Sequence, residues 1–292
     1  MNKDSIYGAI IGDIVGSHLE VAEIVAKQNK TKIDFETRQK ILNPNTPLFS
    51  NNCSLTDDSV LTIAIADAIL ANVSYEQKLK EFGKKEINMG LDKYGRSRFG
   101  KCFCEWIYGD YQVDSWGNGC AMRISPVAYA FDSLEKTLFE CEKATICSHN
   151  HPDSIKCAKA VCGAIWLARH NSTKKEIKEF VEKCLDLSLE YDLTYLSNNY
   201  TFTSKAISSV PQAIYCFLAS NSFEDTIRKT IAIGGDVDTT AAISGSIAGA
   251  YYDIPQDILT QARRFISPEY EAILKKFSKT YLEKHNENIK WR

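Results

Sequence analysis

Two adjacent carboxylates, Asp57 and Asp58, open the run LTDDSVLTIAIADAIL at 55–70, which is otherwise almost wholly apolar. Such a run belongs in an interior, where an unpaired ionised group is costly to bury, so something must compensate the charge. A second acidic cluster, IGGDVDTT at 233–240, places Asp236 and Asp238 just before the small-residue run AAISGSIAGAYY. Either cluster alone has two readings. Asp and Thr cap helices, and a carboxylate near a helix N-terminus gains roughly 0.3 to 1 kcal/mol from the dipole. Together, however, the four aspartates with Thr56 and Thr239 form an oxygen-rich set without cysteine or histidine, suited to Mg²⁺ or Mn²⁺ rather than Zn²⁺. Two closely packed helices starting side by side would hold one ion, or a pair about 3.5 to 4 Å apart as in binuclear hydrolytic sites.

Helices must present such ends, and helix signals recur along the whole chain. Thr173-x-x-Glu176 and Asp132-x-x-Glu135 have capping-box spacing, Ser222 precedes Asp225 at the same offset, and Ser267-Pro268 sets a cap before a first-turn proline. Residues 174–189 place Ile177, Phe180, Val181, Cys184, Leu185 and Leu189 at intervals of three and four, which predicts an amphipathic surface helix. Residues 58–70 and 158–168 are apolar on most sides and predict central helices. Gly8, Gly12 and Gly16 repeat every four residues, as do Ala241, Gly245 and Gly249. Glycine inside a helix costs about 1 kcal/mol relative to alanine, so both stripes imply close backbone packing. Alternating strand patterns are scarce.

Residues 29–52 are polar and contain Pro44 and Pro47, which predicts a surface excursion. The lysine-rich segment 77–101 predicts a solvated helix and loop. No linker or repeat divides the chain, so residues 1–292 are expected to form one domain. With 44% hydrophobic residues, 25% charged and a net charge of −2, nothing suggests nucleic-acid or membrane-surface binding. No apolar run reaches the roughly 18 residues of a membrane span, and the amino terminus lacks a signal-peptide layout. The 10 cysteines are scattered, the closest pair being Cys102 and Cys104, and several fall on apolar helix faces. The expectation is reduced thiols in a soluble, monomeric, cytoplasmic protein.

The motifs GAIIGDIVGSHLE at 8–20, TDDS at 56–59, GNGCAMRISP at 117–126, SHNHPDS at 148–154 and GGDVDTTAAISGSIAGAYY at 234–252 appear together in one chain. In this combination and order the sequence resembles the ADP-ribosylglycohydrolase family, of the dinitrogenase-reductase-activating glycohydrolase type, over nearly its full length. The resemblance implies an all-α fold, a single compact orthogonal bundle of many helices, with two Mg²⁺ or Mn²⁺ ions. It implies removal of ADP-ribose from modified proteins or related conjugates. The family's metal ligands fall on Thr56, Asp57, Asp58, Asp236, Asp238 and Thr239. Its early glutamate corresponds to Glu20, which with Asp57, Asp58 and Asp238 makes the catalytic candidates. Its diphosphate loop corresponds to Ser115, Trp116, Gly117, Asn118 and Gly119, with Ser115 and Asn118 as side-chain donors, and its adenosine-side histidine to His149. Ser59, Val237 and Asp253 depart from residues common in the family, and none is a matched ligand.

Other chemistry competes with packing at several positions. His149 and His151 are candidate ligands, but the HNHP context also fits a loop and helix cap, which is preferred for His151. Arg123 either pairs with a diphosphate or ribose or satisfies buried backbone carbonyls or Asp13. Trp116, Trp106 and Tyr94 either stack on adenine or fill the core. The segment GNG lacks the lysine and hydroxyl of a Walker loop, which argues against a nucleotide triphosphatase. A hydrolase that cleaves at the anomeric carbon of the distal ribose is the expectation. The alternatives are a non-catalytic ADP-ribose-binding or structural member, and a metallohydrolase of phosphate esters.

Overall fold

The computed structural model describes residues 3–28, 39–92, 95–109 and 113–282. The remaining residues, including 29–38 of the expected excursion and the aromatic candidate Tyr94, lie outside the described residues. Fifteen α-helices occur among the described residues, and β-pairing is limited to an isolated bridge between Gly117 and Lys205. The fold is all-α.

Its axis is the pair α1 (Ser5–Gln28) and α13 (Val237–Tyr251). Moving forward along α1 means moving backward along α13: Gly8 meets Gly245, Gly12 meets Ala241 and Gly16 meets Asp238, so the two run antiparallel. The small-residue stripes are the contact. A Cβ at Gly12 would lie 2.0 Å from the Ala241 carbonyl oxygen, and one at Gly16 would lie 2.5 Å from Asp238 Cα. Every residue of α13 from Val237 to Ala250 is buried. Around it pack α2 (Asp57–Ala71), α8 (Pro152–Arg169), α11 (Ala206–Leu218) and α12 (Phe223–Ile233).

Local capping chemistry accounts for most helix starts. Thr56 accepts from Asp58 N to begin α2, and Thr173 forms a full capping box with Glu176 for α9 (Lys174–Leu185). Ser222 caps α12, and Ser267 with Pro268 starts α15 (Pro268–Phe277). The start expected at Asp132 shifts by one residue: Ser133 is extended, and its hydroxyl accepts from Lys136 N to open α7 (Leu134–Ile146). Both residue types cap well, so type alone does not choose between them. Helix α9 stops at Asp186, in the left-handed region at φ 56°. Leu189 therefore lies beyond the helix, though it stays buried while Glu182 Oε1 accepts from its N–H at 2.8 Å.

The lysine-rich segment is solvated on one side only. Within α3 (Tyr75–Asn88), Leu79, Phe82 and Glu86 are buried, and Glu86 accepts from the Tyr270 hydroxyl of α15 at 2.6 Å. Further along comes α4 (Lys101–Tyr108), whose Trp106 is a core residue beside Phe103. The excursion, where described, is fastened by Arg228, which donates to Ile41 O at 2.6 Å and Thr46 O at 2.9 Å. A contiguous hydrophobic cluster extends from Ile6 to Leu282. All ten cysteines are free, and Cys120, Cys141, Cys157, Cys162 and Cys216 are buried as small hydrophobes. No helix of the described residues is long and apolar enough to cross a membrane.

Gly12→Ala tests the central contact. Helix propensity alone would favour alanine by about 1 kcal/mol, but the new methyl would meet backbone rather than a movable side chain. A net loss of about 2 kcal/mol is expected in urea titrations, and an equally stable variant would show that the helices can separate at little cost.

Candidate metal centre and ligand cavity

The antiparallel register sets the second half of α1 beside the first turn of α13, and the start of α2 packs against both. The link to α2 is Asp13, fully buried on α1. Its Oδ2 accepts from Thr56 N at 3.0 Å and Ser59 N at 3.2 Å, and its Oδ1 from Thr56 Oγ1 at 2.6 Å. Ser59 Oγ donates to it as well, so serine supplies the hydroxyl at this departure from the family residue. On the other side, the turn into α13 requires Gly234 at φ 77° and Gly235 at φ 88°. A Cβ at Gly235 would also lie 2.3 Å from Tyr200 Cε1. Asp236 then stands at the N-cap, its Oδ2 accepting from Asn118 Nδ2 at 2.8 Å.

Two carboxylate triads result. One ligand oxygen each from Asp13, Asp58 and Asp238 lies within 4.8 Å of the others, and the same holds for Glu20, Asp236 and Asp238. Asp238 belongs to both. Thr239 Oγ1 stands 3.4 Å from Asp58 Oδ2 and Thr56 Oγ1 stands 3.3 Å from it. Asp57 is half-buried and opens onto the adjoining cavity.

The cluster is electrostatically uncomfortable. Burial, then the charges of Asp13 and Glu20, push the Asp57 carboxyl up to about 8. Burial pushes Asp13 up to about 6 despite its donors. Asp58 and Asp238 are held well above the ordinary range by burial and by neighbouring carboxylates. Asp58 Oδ1 is buried with no hydrogen-bond partner among the described residues. An orphaned carboxylate oxygen within an all-oxygen donor set is what a hard cation would satisfy, so the residues present fit such an ion.

A cavity of about 790 Å³ opens beside the cluster. One wall is the 115–119 segment, where Gly117 N donates to Ser115 Oγ at 3.2 Å and Asn118 N to Ser204 O at 2.9 Å. The Asn118 side chain, which the family resemblance makes a donor towards phosphate, donates instead to Asp236 and to Ser209 Oγ. Trp116 is exposed, with Lys205 Nζ 5.4 Å from its ring centroid.

His149 lies against this loop, its Nε2 3.2 Å from where a Cβ on Gly119 would be. Arg123 Nη2 donates to Ser148 Oγ at 2.6 Å, and Ser148 Oγ stands 2.8 Å from His149 Nδ1. Ser148 thus links Arg123 to the His149 ring, and Nε2 faces the loop. Burial, then Arg123, holds His149 well below its ordinary pKa and therefore neutral. Arg123 thus meets Ser148 and the Ala144 carbonyl rather than Asp13. His151 caps α8, its Nδ1 accepting from Asp153 N.

Two residues of the site are not among the site candidates the sequence offers. Asp13 could have been noticed as the lone acid inside the apolar GAIIGDIVGS. Arg96, by contrast, carries no signal in its surroundings. Its Nη1 donates to Glu20 Oε2 at 3.2 Å and its Nε to Asp92 Oδ2 at 2.9 Å, at the cavity edge.

A family model described as ADP-ribosylglycohydrolase matches residues 3–287. The chain is 25% identical to ADP-ribosylhydrolase ARH3 of Homo sapiens, covering 87% of this chain and 86% of the relative. It is 22% identical to ADP-ribosylarginine hydrolase Tri1 of Pseudomonas putida, covering 86% of this chain and 70% of the relative. A solved structure titled ADP-ribosylglycohydrolase-related protein complex superposes with a TM-score of 0.64 at 18% identity, over 95% of this chain and 98% of that one.

The raised carboxyls make a signed prediction for the ion-free protein. Asp57 moves from an ordinary 3.8 to about 8, so between these values the folded state binds more protons than the unfolded state. Stability in chelator should therefore fall as pH rises through that window. Saturating Mg²⁺ or Mn²⁺ should reverse this at pH 8, adding about 2.7 kcal/mol at a hundredfold excess over Kd. Asp238→Asn should be less sensitive to pH and gain far less from the cation. Thermal melts at pH 5 and pH 8, with chelator or cation, measure both effects, and parallel behaviour of the two proteins would return the acidic clusters to helix capping.

Proposed function

The chain belongs to the ADP-ribosylglycohydrolase family, and we propose that it is a metal-dependent ADP-ribosylhydrolase acting on ADP-ribosylated proteins or related conjugates. It would cleave the bond between the anomeric carbon of the distal ribose and the acceptor. The observation that carries this reading is the pair of carboxylate triads sharing Asp238, with the orphaned Asp58 oxygen, at the side of a cavity large enough for a nucleotide. Thr56, Asp57, Asp58, Asp236, Asp238 and Thr239 would hold two Mg²⁺ or Mn²⁺ ions, which would neutralise the carboxylates and polarise ribose hydroxyls and water.

The protein's own groups divide the remaining work. Ser115, Gly117 and Gly119 with His149 receive the diphosphate, and exposed Trp116 offers a face to the base. Asn118 keeps Asp236 oriented, and Asp13 holds the Thr56–Ser59 turn from behind. Glu20, its pKa raised by burial against the pull of Arg96, takes the proton of the attacking water. The water oxygen bonds to the anomeric carbon while the acceptor leaves with the electron pair of the broken bond and is protonated.

Intact-mass analysis of ADP-ribosylated proteins, incubated with and without Mg²⁺, tests the reading through loss of the ADP-ribose mass. Glu20→Gln should lower kcat by about 10²-fold or more. It should move stability by under about 1 kcal/mol, since the ion pair with Arg96 is partly exposed. Full single-turnover activity in Glu20→Gln would move the base role to an aspartate, and retained ligand binding without any product would reduce the protein to a binder.

A further inference from the structure

The groups along the cavity follow one order. His149 lies against Gly117 and Gly119, Asn118 bonds to Asp236, Asp236 shares a triad with Asp238 and Glu20, and Glu20 pairs with Arg96. With the diphosphate at the glycines and the distal ribose at the carboxylates, the group attached to the anomeric carbon continues towards Glu20 and Arg96. Arg96 therefore stands on the acceptor side. We propose that Arg96 makes the site select ADP-ribose joined through a neutral acceptor oxygen, such as a seryl oxygen, over ADP-ribose joined to an arginine guanidinium. This rests on the hydrolase reading above.

An incoming guanidinium would look for carboxylates, and Glu20 and Asp92 on this side are already engaged by one. Arg96 Nη1 bonds to Glu20 Oε2, while its Nε and backbone N–H take both oxygens of Asp92, at 2.9 and 2.8 Å. The Nε contact with Asp92 holds the guanidinium against Glu20. A substrate guanidinium would have to displace that ion pair and leave two like charges close together at a partly desolvated edge. An alcohol-linked acceptor brings no charge. In its hydrolysis the water oxygen bonds to the anomeric carbon, the C–O bond breaks with its electron pair on the acceptor oxygen, and the proton taken by Glu20 completes the alcohol. Negative charge builds on that oxygen as the bond breaks, and the positive charge of Arg96 on this side favours it. A guanidinium leaving group is already cationic and gains nothing from that charge.

The test uses the full chain with Mg²⁺ and two peptides of identical neutral flanks, ADP-ribosylated on serine or on arginine, comparing kcat/KM. Wild type should prefer the serine-linked peptide by about tenfold or more, the scale of one like-charge contact at a partly exposed site. Arg96→Gln should shrink the preference at least about fivefold, since the repulsion goes with the charge, while Arg96→Lys should keep most of it. A merely structural role would lower both substrates together and leave the ratio unchanged. Should Arg96→Gln fail to fold, the wild-type ratio at low and high salt reads the same charge, which salt should screen. A preference for the arginine-linked peptide, an unchanged ratio in an active Arg96→Gln, or a salt-independent ratio would overturn the proposal and leave the hydrolase reading intact. A wild type that releases ADP-ribose from neither peptide would bring down the hydrolase reading, and this proposal with it.

Discussion

Everything at the site depends on how closely α1 and α13 approach. Their backbones touch because glycine and alanine recur every fourth residue on the facing stripes, at a propensity cost of about 1 kcal/mol per glycine in isolated helices. The return is a register that cannot slide. Gly16 sits on Asp238, which brings Asp13 and Glu20 to the same height as the first turn of α13. A slip of one helical turn, about 5.4 Å, would separate both triads. Carboxylate geometry here is a consequence of helix register, and the register is held by backbone contact, which a rotamer change cannot relax.

That precision creates an electrostatic conflict. Asp13, Asp58, Asp236 and Asp238 are buried together, with Glu20 and Asp57 beside them, and mutual repulsion adds to desolvation. A protein concerned only with stability would place an arginine among them, or replace them with apolar residues of similar volume. This chain keeps the acids and sets one arginine, Arg96, at their edge against Glu20. Its nearest fully buried arginine, Arg123, turns to Ser148 and the Ala144 carbonyl and serves to orient His149. If the proposed site takes up a cation, its occupancy would be coupled to the stability of the fold.

Local features were legible in the sequence, and long-range ones were not. Thr173, Ser222 and Ser267 cap where their spacing places them, because a cap involves only neighbours in the chain. The fourfold stripes announced close packing because helical period is local too. By contrast, Asp13 acts on Thr56 across 43 residues and Arg96 on Glu20 across 76, and neither distance is written in a local pattern. Asn118 is the instructive case. An amide in a glycine-rich loop reads as a phosphate donor, yet both its observed bonds run to distant groups, Ser209 and Asp236. Only the path of the chain in space decides which acceptor an amide meets.

The two ends of the cavity are built from different material, and this bears on how such a site can vary. Its carboxylate end rests on three helices whose starts and packing are buried, so almost any substitution there is paid for in register or charge. Its far edge, Asp92 and Arg96, lies between α3 and α4 and meets the cluster at Glu20. Loops carried on a rigid scaffold tolerate change that helices in backbone contact do not. A proposed ribose-binding centre set by α1, α2 and α13 can therefore stay constant while the acceptor side is rewritten one loop residue at a time. Relatives only about a quarter identical, yet matched over most of their length, are compatible with that arrangement: the constraint on the bundle is its spacing and its buried acids, and the freedom lies at the rim.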